Sequence, residues 1–313
     1  MSDSPRENLF LALNRERPRW LPCPQFDGSI AIVEPRLSER TVAGLDDWGV
    51  GWEVKNDRSS SFPVHHPITS PDRIDKHPFP EVSASSFSDA VETAVEVDRE
   101  EVAIFGSNGW GLFERAWLLL GMTRFFRWTI RHPDALRSLI GRIAEVKLAL
   151  TEGLVEEVGV DIVGYGDDWG MEAGMLIPLR TWRELIKPWQ RRLYDAAKAG
   201  GARVYQHSDG KIEEAVPDLV EIGIDILNIQ RECNDWPSLL CENGQSVSLW
   251  GGISARTLDL GEDGRIESEV REACRLGRDG GVVMAQGHSL KYSEHKIGVM
   301  RRSWERWGRY CDD

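Results

Sequence analysis

The sequence predicts an α/β fold, a single (β/α)8 TIM barrel with an irregular N-terminal region. After about residue 100, short apolar runs rich in β-branched residues alternate with helical stretches, which is typical of βαβ units and a parallel sheet. The chain has 313 residues, a length that suits one barrel. It contains no GxGxxG or Walker sequence, which the competing doubly wound sheet would normally carry. We therefore expect one domain over residues 1–313.

Seven apolar runs are the candidate strands of this barrel. Each is followed by Gly, Asp, Asn or Ser and then by a helix, and the longest predicted helices are Leu136–Val158 and Pro178–Ala199. The stretch from Asp57 to Glu81 is rich in serine and proline and predicts a long irregular excursion. The candidate strands are Trp20–Phe26, Val102–Gly106, Asp161–Tyr165, Arg203–His207, Asp225–Ile229, Val247–Gly251 and Val282–Ala285.

Composition excludes several classes of function. With 38 Lys and Arg against 51 Asp and Glu, the formal net charge is −13, which disfavours binding to nucleic acid or to an anionic membrane surface. No apolar run approaches the ~20 residues of a membrane-spanning helix, and the five cysteines are scattered without a CxxC pair. We expect a cytoplasmic protein with a small-molecule substrate. Most of its 13 tryptophans should pack between layers, and the others are candidates for a pocket wall.

Polar side chains follow nearly every candidate strand. Loops at the carboxyl ends of barrel strands form the active site in enzymes of this fold, so this convergence predicts an enzyme. We expect catalytic roles for Asp27, Asp168 and His207. The residues expected to bind substrate are Gln25, Asn108, Asp167, Asn228 and Gln230.

Two histidines and a carboxylate form the most specific group. His207 and Asp209 lie two residues apart at the end of a strand, where side chains with that spacing point to the same side. His288 follows the last candidate strand and should face the same rim. His207, Asp209 and His288 could hold a catalytic zinc ion with one open position. Alternatively, Asp209 caps the next helix and His207 is a general base or a hydrogen-bonded core histidine.

Asp167 and Asp168 are adjacent carboxylates at a strand end, which suits acid–base chemistry. The alternative is that one of them caps the next segment while the other faces solvent. Asn228 and Gln230 offer neutral donors and acceptors that could orient a substrate.

Several segments over about residues 48–288 have a specific order and spacing: Asp47–Val50, Phe113–Trp117, Tyr165–Gly170, Ile186–Pro188, His207–Ile212, Pro217–Asp225, Leu249–Ile253 and His288. Together they resemble the uroporphyrinogen decarboxylase superfamily. The resemblance is strongest to the branch that contains the methylcobamide:coenzyme M methyltransferases. It implies a (β/α)8 barrel with its site at the carboxyl-terminal mouth.

The two branches of this superfamily imply different chemistry. The decarboxylases carry an arginine-rich segment that grips tetrapyrrole carboxylates, whereas the matching stretch here, Pro24–Ser29, has no arginine and contains Asp27. The methyltransferases carry a zinc site of the type His-x-Cys with a distant Cys. His207 matches that histidine, Asp209 replaces the first cysteine, and His288 lies near the second.

The resemblance therefore favours a methyltransferase-like enzyme that moves a methyl group between a small substrate and a corrinoid carried on a partner protein, with zinc as the metal. One alternative is tetrapyrrole decarboxylation, which arginines at the mouth such as Arg115 and Arg256 would favour. Another is a non-catalytic barrel that binds a tetrapyrrole or corrinoid. Both monomers and homodimers have precedent in the family.

Overall fold

The computed structural model of the chain describes residues 4–310 except 38, 40, 55–60, 245 and 289–290. Within these residues the strands are β1 (Ile30–Val33), β2 (Gly44–Leu45), β3 (Gly51–Val54), β4 (Ser61–His65), β5 (Ala103–Trp110), β6 (Ile162–Gly166), β7 (Gly170–Met171), β8 (Gly174–Met175), β9 (Arg203–Ser208), β10 (Ile226–Ile229), β11 (Ser248–Ile253) and β12 (Val282–Gln286). The α-helices are α1 (Pro5–Leu13), α2 (Pro24–Asp27), α3 (Ser88–Glu96), α4 (Leu112–Leu120), α5 (Met122–Arg131), α6 (Pro133–Gly153), α7 (Leu179–Leu185), α8 (Lys187–Ala199), α9 (Val216–Glu221), α10 (Trp236–Asn243), α11 (Ala255–Leu260), α12 (Asp263–Leu276) and α13 (Glu294–Trp307).

Seven parallel strands form one curled sheet in the order β1-β5-β6-β9-β10-β11-β12. Ile30 of the first strand and Ala285 of the last pack against the same buried cluster as Ile226 in the middle of the sheet. The two ends of the sheet therefore curl around a common interior, and the predicted barrel fold is confirmed. Among the described residues, no helix has the length and apolar character that crossing a membrane requires.

Six of the seven predicted strands are confirmed, and the first is wrong. In the Trp20–Phe26 stretch, Trp20 makes an isolated bridge to Arg309, and α2 begins at Pro24. Prolines cannot donate to a strand ladder, so this segment contacts β12 through the Pro22 carbonyl, which accepts from Met284 N–H at 2.8 Å. The first strand of the barrel is instead β1.

The predicted excursion over residues 57–81 is only partly irregular. Residues 57–60 lie outside the described residues, but β4 follows directly and pairs with β3 in a small antiparallel sheet that also contains β2. Asp46 connects this sheet to the barrel, because its carboxylate accepts from Trp52 Nε1 at 2.9 Å and from Arg115 Nη1 at 3.3 Å. The sheet therefore lies beside the barrel helix α4.

Helix α1 closes the amino-terminal end of the barrel. Leu9 and Leu13 are buried in one cluster with Ala103, Ile162 and Val283 from the barrel interior. The bottom of the barrel is thus a packed apolar core, which leaves the carboxyl-terminal end of the strands for polar side chains.

Leu9→Ala should lower the free energy of unfolding by about 2–5 kcal/mol, because truncating a buried leucine loses burial and leaves a cavity. Leu9 is fully buried, whereas Leu260 on α11 is 76% exposed. The matched control Leu260→Ala should therefore change stability by only about 0.5 kcal/mol. Urea unfolding measures both values, and equal losses would contradict the role of α1 as the closing helix.

Candidate functional site

A cavity with two lobes opens at the carboxyl ends of the strands. The lobe we call the aromatic lobe has a volume of about 730 Å³ and is lined by residues that include Phe105, Tyr205 and Trp250. The neighbouring histidine lobe, of about 670 Å³, is lined by residues that include His207 and His288. Tyr205, His207 and Trp250 line both lobes. His207 therefore lies where the two lobes meet, and both histidines face one cavity, as the sequence predicts.

The imidazole of His207 is fixed in one tautomer by its neighbours on the sheet. Asn228 Nδ2 donates to the Trp250 carbonyl at 2.5 Å, so the amide oxygen of Asn228 must face His207. His207 Nδ1 donates to that oxygen at 2.5 Å. When the ring is neutral, its proton is therefore on Nδ1 and Nε2 carries the lone pair, which suits a metal ligand or a base.

Two carboxylates lie against this free nitrogen. His207 Nε2 is 3.5 Å from Asp168 Oδ1 and 3.5 Å from Asp209 Oδ1, and one ligand atom from each of the three residues falls within 4.8 Å of the others. Ligands at 2.0–2.2 Å from a tetrahedral ion lie about 3.3–3.6 Å apart. The two nitrogen–oxygen distances and the chemistry of the three ligand atoms therefore suit a zinc-type ion.

Both carboxylates are held in place by further hydrogen bonds. Asp168 Oδ1 accepts from the backbone N–H of Asp209 at 2.8 Å. Asp209 Oδ1 accepts from Gln230 Nε2 at 2.9 Å, and Gln230 Oε1 accepts from Gly210 N–H at 3.0 Å. Burial, and then the negative charge of Asp168, raise the pKa of Asp209. The amide of Gln230 thus orients a carboxylate at the site.

His288 lies at the edge of the group. Its Nε2 is 3.7 Å from Asp209 Oδ2, its ring centre is 6.4 Å from that of His207, and its side chain is 43% exposed. The structure therefore brings together His207 and Asp209 as predicted, adds Asp168 to them, and places His288 beside Asp209.

Asp167 and Asp27 lie away from the site in hydrogen-bonded turns. The fully buried Asp167 carboxylate accepts from Phe113 N–H at 3.0 Å, from Glu114 N–H at 2.8 Å and from Trp169 Nε1 at 2.7 Å. It therefore satisfies the first amides of α4. Burial nevertheless raises its pKa to about 7, so its contribution to folding stability decreases as pH rises from about 4 to about 7.

The carboxylate of Asp27 organises the turn between α2 and β1. It accepts from Cys23 N–H at 2.9 Å, from Ser29 N–H at 3.0 Å and from Trp20 Nε1 at 3.2 Å. The structure therefore gives Asp27 a local structural role and places it outside the lining of the two lobes.

Gln25 and Asn108 both line the cavity, but the Gln25 side chain is exposed whereas the Asn108 side chain is buried and hydrogen-bonded. Gln25 is exposed at the histidine lobe. The buried Asn108 amide instead donates to the Lys147 carbonyl and to Thr151 Oγ1, both at 2.9 Å. Gln25 is available to a ligand, whereas the Asn108 side chain holds α6 against β5.

Glu114 is a site residue that strand-end reasoning missed. It lines the histidine lobe near Asp168 and His207. Burial, and then the charge of Asp168, raise its pKa well above that of an ordinary glutamate. It lies in the first turn of α4 and does not end a strand, so the signal that could have found it was the acidic residue within the Phe113–Trp117 segment.

Two buried cationic side chains near the cavity, Arg115 and Lys147, form ion pairs with acidic residues. Arg115 is fully buried, lies 3.3 Å from Asp46 Oδ2 and stacks on the Trp48 ring at 4.7 Å. Buried Lys147 pairs with Glu39, and burial lowers the pKa of Lys147. Among the described residues, neither lysine nor arginine lines either lobe.

Comparison with known proteins gives consistent matches. The family model described as uroporphyrinogen decarboxylase (URO-D) matches residues 45–302. Two curated relatives, both named methylcobamide:CoM methyltransferase MtaA, from Methanosarcina barkeri and from its strain Fusaro, are each 25% identical over 203 residues. That alignment covers 63% of this chain and 57% of each relative. The solved structure of a methyltransferase from Methanosarcina mazei has a TM-score of 0.76 at 15% identity, covering 97% of this chain and 98% of that chain, and shows the same fold.

The adjacent variants Asp167→Ala and Asp168→Ala should differ in stability. Asp167→Ala leaves three buried N–H donors unmet and should lower the free energy of unfolding by about 2–4 kcal/mol. The Asp168 side chain is 34% exposed, so Asp168→Ala should cost less than about 1 kcal/mol. Urea unfolding at pH 7 measures both, and the opposite order would show that the structural and cavity-facing carboxylates are wrongly assigned.

Proposed function

We propose a methyl-transfer function for this chain, which belongs to the uroporphyrinogen decarboxylase family. The observation that carries the proposal is the convergence of Asp168 and Asp209 on His207, which lies where the two lobes meet. In this proposal, a methyl group moves between a small molecule in the cavity and a corrinoid carried on a partner protein. The similarity to proteins named methylcobamide:CoM methyltransferase supports the corrinoid.

In the proposed site, Asp168, His207 and Asp209 hold a zinc-type ion, and His288 is close enough to take part. When bound, such an ion supplies a Lewis acid that polarises the atom losing or receiving the methyl group. Asn228 keeps the His207 lone pair directed at the ion, and Gln230 does the same for the carboxylate of Asp209. The neighbouring lobes leave room for a substrate and for the approach of a second reactant.

The charge of the cavity favours methyl transfer over decarboxylation of a polycarboxylate. Such a substrate needs cationic partners, but the described lining residues include the carboxylates of Glu34, Glu114 and Asp168 and no arginine or lysine. Arg115 is committed to Asp46, and Arg256 is exposed outside the lining of both lobes.

Zinc binding tests the ligand set without a known substrate. After zinc loading and dialysis, the wild-type chain should retain about one equivalent of zinc, and His207→Ala and Asp209→Ala should retain almost none. Asn228→Ala should weaken zinc binding by about 10–100-fold, because it removes the group that orients the ligating ring. Affinity should fall as pH decreases, because protons compete with the metal for its ligands.

The control is His295→Ala, which removes an exposed histidine that pairs with Asp263 at 2.8 Å. It should retain zinc like the wild type. Equal zinc content in all the variants, or none in the wild type, would contradict the proposed metal site.

The reaction itself can be followed with free cob(I)alamin in place of the corrinoid protein. Zinc-loaded chain mixed with cob(I)alamin and candidate methyl donors should form methylcob(III)alamin, detected by absorbance, and His207→Ala should reduce the rate at least about 100-fold. Release of CO2 from uroporphyrinogen without methyl transfer would instead establish the decarboxylase alternative.

A further inference from the structure

One phenol that lines both lobes has no hydrogen-bond partner among the described residues. Tyr205 lies two residues before His207 on β9 and lines both lobes, yet its hydroxyl has no partner within the described part of the chain. Two other barrel tyrosines differ: Tyr165 Oη donates to the Leu193 carbonyl at 3.0 Å, and Tyr194 Oη donates to Gln206 Oε1 at 2.9 Å. The hydroxyl of Tyr205 is therefore available to a ligand in the cavity.

The ring of Tyr205 belongs to a continuous aromatic wall. It packs edge-to-face against Phe105, with ring centres 5.0 Å apart, and against Trp250, with ring centres 5.6 Å apart. Rings in direct contact form one surface and do not surround a central space, as an aromatic cage for a quaternary ammonium would. Such a wall suits a flat apolar ring packed against it.

Two glycines of β6 shape the space beside this wall. Gly164 is the register partner of Tyr205, and Gly166 is the partner of His207. A Cβ at Gly164 would fall 2.2 Å from the ring of Phe105, so only glycine allows that ring its position. A Cβ at Gly166 would meet only the Gly109 carbonyl oxygen at 3.6 Å. The space next to His207 is therefore open to a ligand.

The charge of the aromatic lobe selects against ions. Among the described residues that line this lobe, Glu34 and Glu39 are acidic, and none is a lysine or an arginine. Glu39 is already neutralised by its pair with Lys147 and by Arg115 Nη2 at 3.7 Å. Glu34 is exposed to solvent, where its charge is screened. An anion finds no partner here, and a cation finds no buried, unpaired carboxylate.

We propose that the aromatic lobe binds the small substrate as an uncharged molecule with one flat apolar ring and an oxygen atom that accepts a hydrogen bond from Tyr205. Naming this ligand as the methyl-transfer substrate rests on the function proposed above. Tyr205 is then a residue that positions the substrate and determines its class. Tyr205 and His207 are two residues apart on β9, about 6.6 Å along the strand, and both line this lobe, so a ligand bound at Tyr205 lies beside the histidine.

Four one-ring probes separate the chemical classes by their dissociation constants: anisole (uncharged, with oxygen), toluene (no oxygen), benzoate (anion) and phenyltrimethylammonium (cation). Ligand-observed NMR on the full chain, with and without zinc, measures each one. Anisole should bind at least about tenfold more tightly than benzoate or the cation, because neither ion is compensated in this lobe. Tyr205→Phe keeps the ring of the wall and should weaken anisole about threefold to tenfold while leaving toluene unchanged.

The matched control is Tyr194→Phe, which removes a hydroxyl already bonded to Gln206 and should leave all four constants unchanged. Tighter binding of benzoate or of the cation, equal losses for anisole and toluene in Tyr205→Phe, or no ring binding would each overturn the inference. Zinc retention and methyl transfer are measured separately. If the probes do not bind as expected but zinc retention and methyl transfer are observed, the proposed function stands. If the probes bind as expected but methyl transfer is not observed, the lobe is a ring-binding site without that function.

Discussion

The hydrogen bond from His207 to Asn228 determines what the rest of the site can do. It exists because the strands are in register: Asn228 of β10 pairs with His207 on one side and with Trp250 on the other. The Trp250 carbonyl orients the amide, the amide orients the ring, and the ring presents Nε2 to Asp168 and Asp209. A shift of one residue in either pairing would turn these side chains to the other face of the sheet.

The barrel separates stability from function along its axis. At the bottom, the leucines of α1 and the strand side chains around Ile162 form a filled apolar core. At the carboxyl-terminal end, Gly166 and His207 line an open cavity whose lining includes the acidic residues Glu114 and Asp168. Carboxylates held close together in this way repel one another and are partly desolvated, a cost that a bound cation would offset. The apolar core at the amino-terminal end of the barrel offsets the destabilising effect of these carboxylates.

Much of the fold was predictable because buried parallel strands are continuous apolar runs. Trp20–Phe26 shows the same apolar character, but its prolines prevent a ladder, and the true first strand is the four-residue β1. Asp167 and Asp168 show why the site was only partly predictable. Both follow β6, and only the three-dimensional position of α4 determines that one caps its amides and the other faces the cavity. Glu114 was missed because it lies in the first turn of a helix and does not follow a strand.

The central claim is that His207 presents an unprotonated Nε2 to a metal held with Asp168 and Asp209. Long-range ¹H–¹⁵N correlation spectra of the ¹⁵N-histidine-labelled chain at pH 7.5, assigned with His207→Gln, test it most directly. The account predicts an Nδ1–H tautomer for His207 without metal, and a large shift of its Nε2 resonance that saturates at one equivalent of zinc. An Nε2–H tautomer, or an Nε2 resonance that zinc leaves unchanged, would contradict it.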